Sequence, residues 1–169
     1  MDTYALLLAA TLNAGTVLAL AALGLLIHEK AGVINLGTEG MMLCAAIGGF
    51  ATVVHTGSDM AGFAAGMAVG GLMAAVFGCL VIGLGTNPYA TGLALSLFGA
   101  GFSAFVGVDY VKAQLPGRTA YAIPWLSDIP WWGEALFRHH PLVYICILLA
   151  MALVYVLDHT RAGLVLCAV

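Results

Sequence analysis

Five long apolar segments, separated by polar breaks, dominate the pattern of hydrophobic and polar positions along this 169-residue chain. The segments cover residues 4–27, 33–55, 60–84, 89–108 and 141–157. A helix needs about 20 apolar residues to cross the hydrocarbon core of a bilayer, with a range of about 17–25. The pattern therefore predicts an all-α membrane protein, a polytopic helical bundle of about five spans.

The break between the fourth and fifth segments, residues 109–140, is the longest polar part of the chain. Tyrosines and tryptophans lie beside charged residues along it, and Pro116, Pro124 and Pro130 interrupt it. Aromatic side chains next to charges are typical of a membrane interface. We expect an amphipathic or irregular segment lying on one face of the membrane.

Composition supports a membrane protein and excludes several other classes. Hydrophobic residues make up 63% of the chain and charged residues 8%, with a mean hydropathy of +1.06, whereas soluble domains carry about 25% charged residues. The chain has no basic patch that would predict a nucleic-acid partner. The expected surroundings of so apolar a chain are the lipid bilayer. The chain has no P-loop, H-E-x-x-H or G-x-S-x-G motif. We therefore expect no catalytic residues, no cofactor and no metal site.

The stretch AGVINLGTEGMML, residues 31–43, is polar and rich in glycine where a plain span would be apolar. Asn35 has the residue type that caps a helix, and we predict a helix that starts at Leu36. Glu39 then falls near the first turn, where the helix dipole favours a negative charge. A discontinuous or interfacial helix start near Asn35 is the first interpretation, and an unbroken regular span is the second. The depth of Glu39, in the membrane or at its interface, stays open.

Small residues recur every four positions along the third segment, which is typical of helices that pack closely in a membrane. The predicted packing positions are Gly62, Gly66, Gly70 and Gly78, with Ala74 continuing the repeat.

Four segments, taken in chain order, resemble the permease subunits of bacterial ABC importers of the simple-sugar/nucleoside type, which are related to branched-chain amino acid and ribose permeases. The segments are EKAGVINLGTEGMML (29–43), NPYATGLAL (87–95), IPWLSDIP with HPLVY (123–130 and 140–144) and TRAGLVLCAV (160–169). The resemblance covers nearly the whole chain.

The resemblance implies a single permease domain over residues 1–169, in the bacterial plasma (inner) membrane, that takes up nucleosides or simple sugars. The implied partners are an ATP-binding ABC subunit that hydrolyses the ATP, a second permease subunit and an extracytoplasmic substrate-binding protein. It also implies that residues 161–169 face the cytoplasm. The turns at Lys30 and Asn87 are then cytoplasmic and the segment 110–139 is external.

The site residues expected from this reasoning fall into two groups. Candidates for the translocation path or for helix breaks are Asn35, Gly37, Thr38, Glu39, Asn87 and Thr91. The region that couples to the ATPase is expected to start at Arg161 and Gly163. Permeases of this family continue beyond the point that matches Val169, and the apolar run at the end of the chain suggests a piece of a longer protein.

The alternative function is a small structural or interaction membrane protein, in which residues 35–39 serve only to cap a helix. A neighbouring gene with a P-loop, or co-purification with an ATPase, separates this alternative from the importer.

Overall fold

A computed structural model describes residues 3–113 and 141–167. In this part of the chain the secondary structure is helical, without a strand. The α-helices are α1 (Thr3–Lys30), α2 (Thr38–Thr56), α3 (Asp59–Gly78), α4 (Pro88–Gly107), α5 (Pro141–His159) and α6 (Arg161–Cys167). The first five contain segments long and apolar enough to cross a membrane. The predicted all-α fold with about five spans is confirmed.

Two helices continue into tighter or wider turns at their C-terminal ends. α3 runs on into a π-helical turn, Cys79–Gly83, and α4 into a 3-10 turn, Val108–Tyr110. A π-turn inserted at the end of an α-helix often marks a functional position. The predicted amphipathic segment, residues 109–140, lies outside the described residues apart from its first five.

The chain divides into two compact units, one formed by residues 1–32 and 118–169 and the other by residues 33–117. In the first unit, α1 packs against α5. Thr16, Val143 and Cys146 are buried there, and the Cys146 Sγ lies 3.9 Å from the Thr16 carbonyl oxygen. The Thr16 hydroxyl donates to the carbonyl of Leu12, at 2.7 Å, so its polar group is satisfied within α1.

In the second unit, α2 packs on both α3 and α4. α2 and α3 are antiparallel and α2 and α4 are parallel, as the contacts between their glycines show. Five buried apolar side chains of this unit form one cluster, composed of Met41, Cys44, Met73, Phe77 and Leu95, and Val53 is buried outside it. Most other large apolar side chains of these helices are exposed, as in a protein whose solvent is lipid.

The second helix begins later than the sequence predicted. The predicted start was Leu36, within a span over residues 33–55, but residues 31–37 are non-helical and α2 begins at Thr38. α2 ends at Thr56, and the capping residue after it, Gly57, has a left-handed backbone (φ +68°) and donates its N–H to the Val53 carbonyl at 2.8 Å.

Candidate functional site

The turn before α2 is organised by the Asn35 side chain, which is only 4% exposed. Its Oδ1 accepts the backbone N–H of Gly37 at 2.8 Å, and its Nδ2 lies 3.9 Å from the sulfur of Met41. The Thr38 hydroxyl donates to the Asn35 carbonyl at 3.3 Å. These bonds fold residues 35–37 into an Asx turn.

The Asx turn explains why the predicted cap was wrong. Asn35 does accept the backbone N–H two positions on, as an N-cap residue can, but residues 36 and 37 are not helical, so this bond closes a turn in front of the helix. Gly37 thereby becomes the N-cap residue, without a side-chain bond, and the first helical residue is Thr38.

The turn lies directly on the N-terminal part of α4. A Cβ placed on Gly92 would be 2.8 Å from the backbone nitrogen of Leu36 and 2.9 Å from that of Gly37. The Ser96 hydroxyl, one turn further along α4, donates to the Leu36 carbonyl at 2.8 Å. The carbonyl of a non-helical residue is thus satisfied by a side chain 60 positions away in the sequence.

Within the first turn of α2, at Gly40, the backbones of the two helices touch. A Cβ placed on Gly99 would collide with the carbonyl oxygen of Gly40 and lie 2.5 Å from its Cα. A Cβ on Gly40 would lie 2.6 Å from the Cα of Ser96. Close helix approach of this kind is how membrane helices gain packing energy without a hydrophobic drive between them.

Glu39 lies on a different surface from Asn35. It is the second residue of α2 and its side chain is exposed, whereas the neighbouring Gly40 is buried against α4. A carboxylate in the first turn interacts favourably with the helix dipole, by about 0.3–1 kcal/mol when exposed. The buried amide therefore builds the turn, and the exposed carboxylate is the group that remains accessible.

Asn87 and Thr91 belong to the start of α4. Asn87 is the N-cap of that helix, its Oδ1 accepting the Tyr89 N–H at 2.9 Å, and Pro88 occupies the first helical position. The Thr91 hydroxyl lies 2.8 Å from that of Thr86. Because α2 and α4 are parallel, these residues and the turn at Asn35 lie at the same end of the second unit.

The predicted packing glycines of α3 divide into two sets. Gly62, Gly66 and Gly70 face α2: a Cβ on Gly62 would collide with Val53 Cγ2, and one on Gly66 would lie 3.2 Å from the Ala45 carbonyl oxygen. At Gly78, no neighbour among the described residues lies within 4 Å of an added Cβ. Gly78 therefore does not take part in the contact with α2.

Arg161 and Gly163 lie in the first turn of α6, directly after the bend at Thr160 that separates it from α5. The Thr160 hydroxyl donates to the Val156 carbonyl at 2.6 Å, and Gly163 is buried where an added Cβ would collide with the Leu157 carbonyl oxygen. Arg161 is exposed. The chain bends at Thr160, and the exposed Arg161 follows the bend.

Two important residues were missed by the sequence reasoning. Neither Ser96 nor Gly99, both of which contact the segment before or at the start of α2, was singled out from the sequence. The spacing of Gly92, Ser96 and Gly99, at i, i+4 and i+7, places small residues on one face of α4 and is the signal that predicts this contact.

No metal or cofactor site emerges from the described geometry. In residues 3–113 and 141–167, no group of three or more His, Cys, Asp or Glu side chains is placed to hold a metal ion. What the described residues offer is a hydrogen-bonded turn, an accessible carboxylate and closely packed helices.

Comparison with known proteins gives the same picture. The chain is 40% identical to a "putative glucose ABC transporter permease protein" of Haloferax volcanii, over all of this chain and 53% of that protein. It is 31% identical to the guanosine ABC transporter permease protein of Bacillus subtilis, over 92% of this chain and 51% of that protein. A nucleoside ABC transporter permease protein of Lactococcus lactis is 27% identical, over 97% and 55%.

The chain thus spans about half the length of the curated relatives it matches. No solved structure matches it. Residues 7–169 match the family model for the permease component of branched-chain amino acid transport systems. With that match and five apolar helices, the chain belongs to the branched-chain amino acid transport system permease family, whose members are multi-pass proteins of the plasma membrane.

Proposed function

We propose that this chain forms part of the membrane-spanning permease of an ATP-driven importer of nucleosides or simple sugars. The observation that carries the proposal is the family match over residues 7–169, together with relatives named for guanosine, nucleoside and glucose transport. The helices form the path, and the chemistry of ATP hydrolysis belongs to a partner ATP-binding subunit. A second permease subunit and an external binding protein complete the importer.

Within the importer, the turn at residues 35–39 has two roles. Asn35 and Gly37 are packed against each other and against α4, so they hold the start of α2 in place. Thr38 and the exposed Glu39 are the groups of this turn that face a path or a partner. Asn87 and Thr91 fix the start of α4 at the same end of the unit.

The roles of Asn35 and Glu39 are tested by uptake with the complete transporter. Glu39→Gln removes the charge at an exposed position, so uptake is expected to fall while the amount of protein in the membrane stays the same. Asn35→Ala is expected to lower both. Unchanged uptake and expression in both variants would show that neither residue has a part in transport.

The function itself is tested by disrupting the gene and measuring uptake of radiolabelled guanosine and of radiolabelled glucose. We expect loss of uptake of one of them, restored by the intact gene, and co-purification of the permease with an ATP-binding subunit. Normal uptake of both compounds, with no ATPase in the purified complex, would instead support a structural membrane protein. The two substrates are compared because relatives named for each of them match this chain.

A further inference from the structure

We propose that α2, α3 and α4 stay together as one body throughout transport, so that the movement that opens and closes the path takes place outside their mutual contacts. The inference rests on the proposed function, because it concerns the conformational cycle of an importer. Packed interfaces change in discrete steps, such as a jump of about one helical turn, rather than by gradual deformation. For each pair of these helices, a different restraint opposes such a step.

Between α2 and α4 the restraint is the size of the side chains. A jump of one turn would take Gly99 away from Gly40 and bring Leu95 or Ser103 to its place. A single Cβ at Gly99 already collides with the Gly40 carbonyl oxygen, so neither larger side chain fits there. The hydrogen bond from Ser96 to the Leu36 carbonyl would break in the same step.

Between α2 and α3 the restraint is the short link that joins the two helices in the chain. The glycine repeat of α3 alone would permit a jump, because Gly66 would take the place of Gly62. However, only Gly57 and Ser58 join the two helices. A shift by one turn is about 5.4 Å. The Gly57 N–H is bonded to the Val53 carbonyl at 2.8 Å, and extending the two-residue connection by that length would break this bond.

Between α3 and α4 the restraint is a chain of hydroxyl groups. The Leu80 carbonyl, in the π-helical turn, accepts both the N–H of Thr86 at 3.2 Å and its hydroxyl at 2.9 Å. Because the Thr86 hydroxyl hydrogen is directed to Leu80, the Thr91 hydroxyl donates to Thr86 across the 2.8 Å contact. This chain ties the end of α3 to the first turn of α4.

The opposite end of the unit is joined as well. The His55 Nε2 lies 2.9 Å from the Tyr110 hydroxyl, which connects the last turn of α2 to the 3-10 turn after α4. The Phe50 and Tyr110 rings meet edge to face, with centroids 6.2 Å apart. Contacts at both ends and along the middle therefore hold the three helices in one arrangement.

A disulfide between α2 and α3 tests the proposal. The Cβ of Ala45 lies 3.5 Å from the position of a Cβ on Gly70, within the range of about 3.5–4.5 Å found in disulfides. Ala45→Cys and Gly70→Cys are introduced together into the complete transporter. The purified protein is then oxidised, and the cross-link is verified by mass spectrometry. The single variants, oxidised in the same way, control for reaction of native cysteines such as the exposed Cys79.

We expect uptake of radiolabelled guanosine or glucose by the cross-linked transporter to stay within about twofold of the reduced form, since no motion within the unit is needed. A loss of about tenfold or more, reversed by reductant and absent from the single variants, would show that α2 and α3 must move apart and would overturn the proposal.

A distance measurement decides the question even if the double variant does not assemble. Met60, near the start of α3, and Phe105, near the end of α4, are 78% and 81% exposed. Each is replaced by cysteine to carry a spin label, in a protein in which the exposed Cys79 is replaced by serine. The distance between the labels is expected to be the same in nucleotide-free and ATP-trapped transporter. A change of about 5 Å, one helical turn, would overturn the proposal. Absence of uptake by the unmodified transporter would instead count against the proposed function.

Discussion

Replacement of Gly99 by alanine is expected to destabilise the protein, because this residue has no room for a side chain. An added Cβ would meet the carbonyl oxygen, Cα and carbonyl carbon of Gly40, all of them backbone atoms that cannot turn away. Over-packing of a well-packed site costs about 1–3 kcal/mol, and a collision with backbone on both sides falls in the upper part of that range.

Gly101→Ala is the matched control, since Gly101 lies on the same helix and no residue in the described part of the chain lies within 4 Å of an added Cβ. Both substitutions gain up to about 1 kcal/mol of helix propensity, so their difference isolates the collision. We expect Gly99→Ala to have a free energy of unfolding about 2 kcal/mol lower than Gly101→Ala. This difference corresponds to about a 30-fold change in the ratio of folded to unfolded protein.

The difference in stability between the two variants is measured by heating the purified permease in detergent and monitoring its unfolding by size-exclusion chromatography. Gly101→Ala is expected to unfold at or above the temperature of the unsubstituted protein, and Gly99→Ala several degrees below it. Equal unfolding temperatures for the two variants would refute the conclusion that the backbones of α2 and α4 touch at Gly99.

Three further substitutions test the hydrogen bonds at this end of the unit. Ser96→Ala is expected to lower the free energy of unfolding by about 1 kcal/mol, because it leaves the Leu36 carbonyl without its donor. Thr52→Ala is the control: it removes a hydroxyl that bonds to Gly48 within its own helix and should lower the free energy of unfolding by less. Equal losses in the two variants would contradict the account. Asn35→Ala removes the acceptor of the buried Gly37 N–H, so stability should fall by about 1–3 kcal/mol and hydrogen exchange at the Gly37 amide should accelerate; unchanged exchange would rule out the Asx turn. Asn87→Ala should cost about 1 kcal/mol through loss of the N-cap of α4, and Asn87→Ser should recover most of it; failure of the serine variant to do so would argue against capping as the role of Asn87.

The spans were predictable because their length and hydropathy are properties of the local sequence. The bilayer requires about 20 apolar residues in a helix, and five segments meet that requirement. Turns such as Gly57-Ser58 and Thr86-Asn87-Pro88 were visible for the same reason, since glycine, proline and cap residues act on their own neighbourhood.

The start of α2 was less predictable, because two local uses of Asn35 compete. An asparagine oxygen can cap a helix or close an Asx turn, and both bonds go to an amide a few residues further on. The choice is made by packing against Gly92 and Ser96, which are far away in the sequence. Sequence reasoning therefore identified the right residue and placed the helix start two positions too early.

The partners of the α4 residues depended on tertiary structure in the same way. A serine in a membrane helix usually returns its hydroxyl to the backbone of that helix, whereas the Ser96 hydroxyl bonds to the Leu36 carbonyl, outside its own helix. Likewise, the regular spacing of the α3 glycines correctly indicated a face of small residues, but not that Gly78 lies beyond the contact with α2. Periodicity identifies a face, whereas the extent of the contact depends on where the neighbouring helix lies.

The most direct test of the central claim is ATP-dependent uptake by purified components. The complete permease is reconstituted in proteoliposomes with its ATP-binding subunit and binding protein, with ATP supplied to the ATPase side. The account predicts accumulation of radiolabelled guanosine or glucose that requires ATP and is lost without the permease. If the complex hydrolyses ATP but accumulates neither compound, the proposed substrates are contradicted. If the permease binds no ATP-binding subunit, its proposed role in an importer is contradicted.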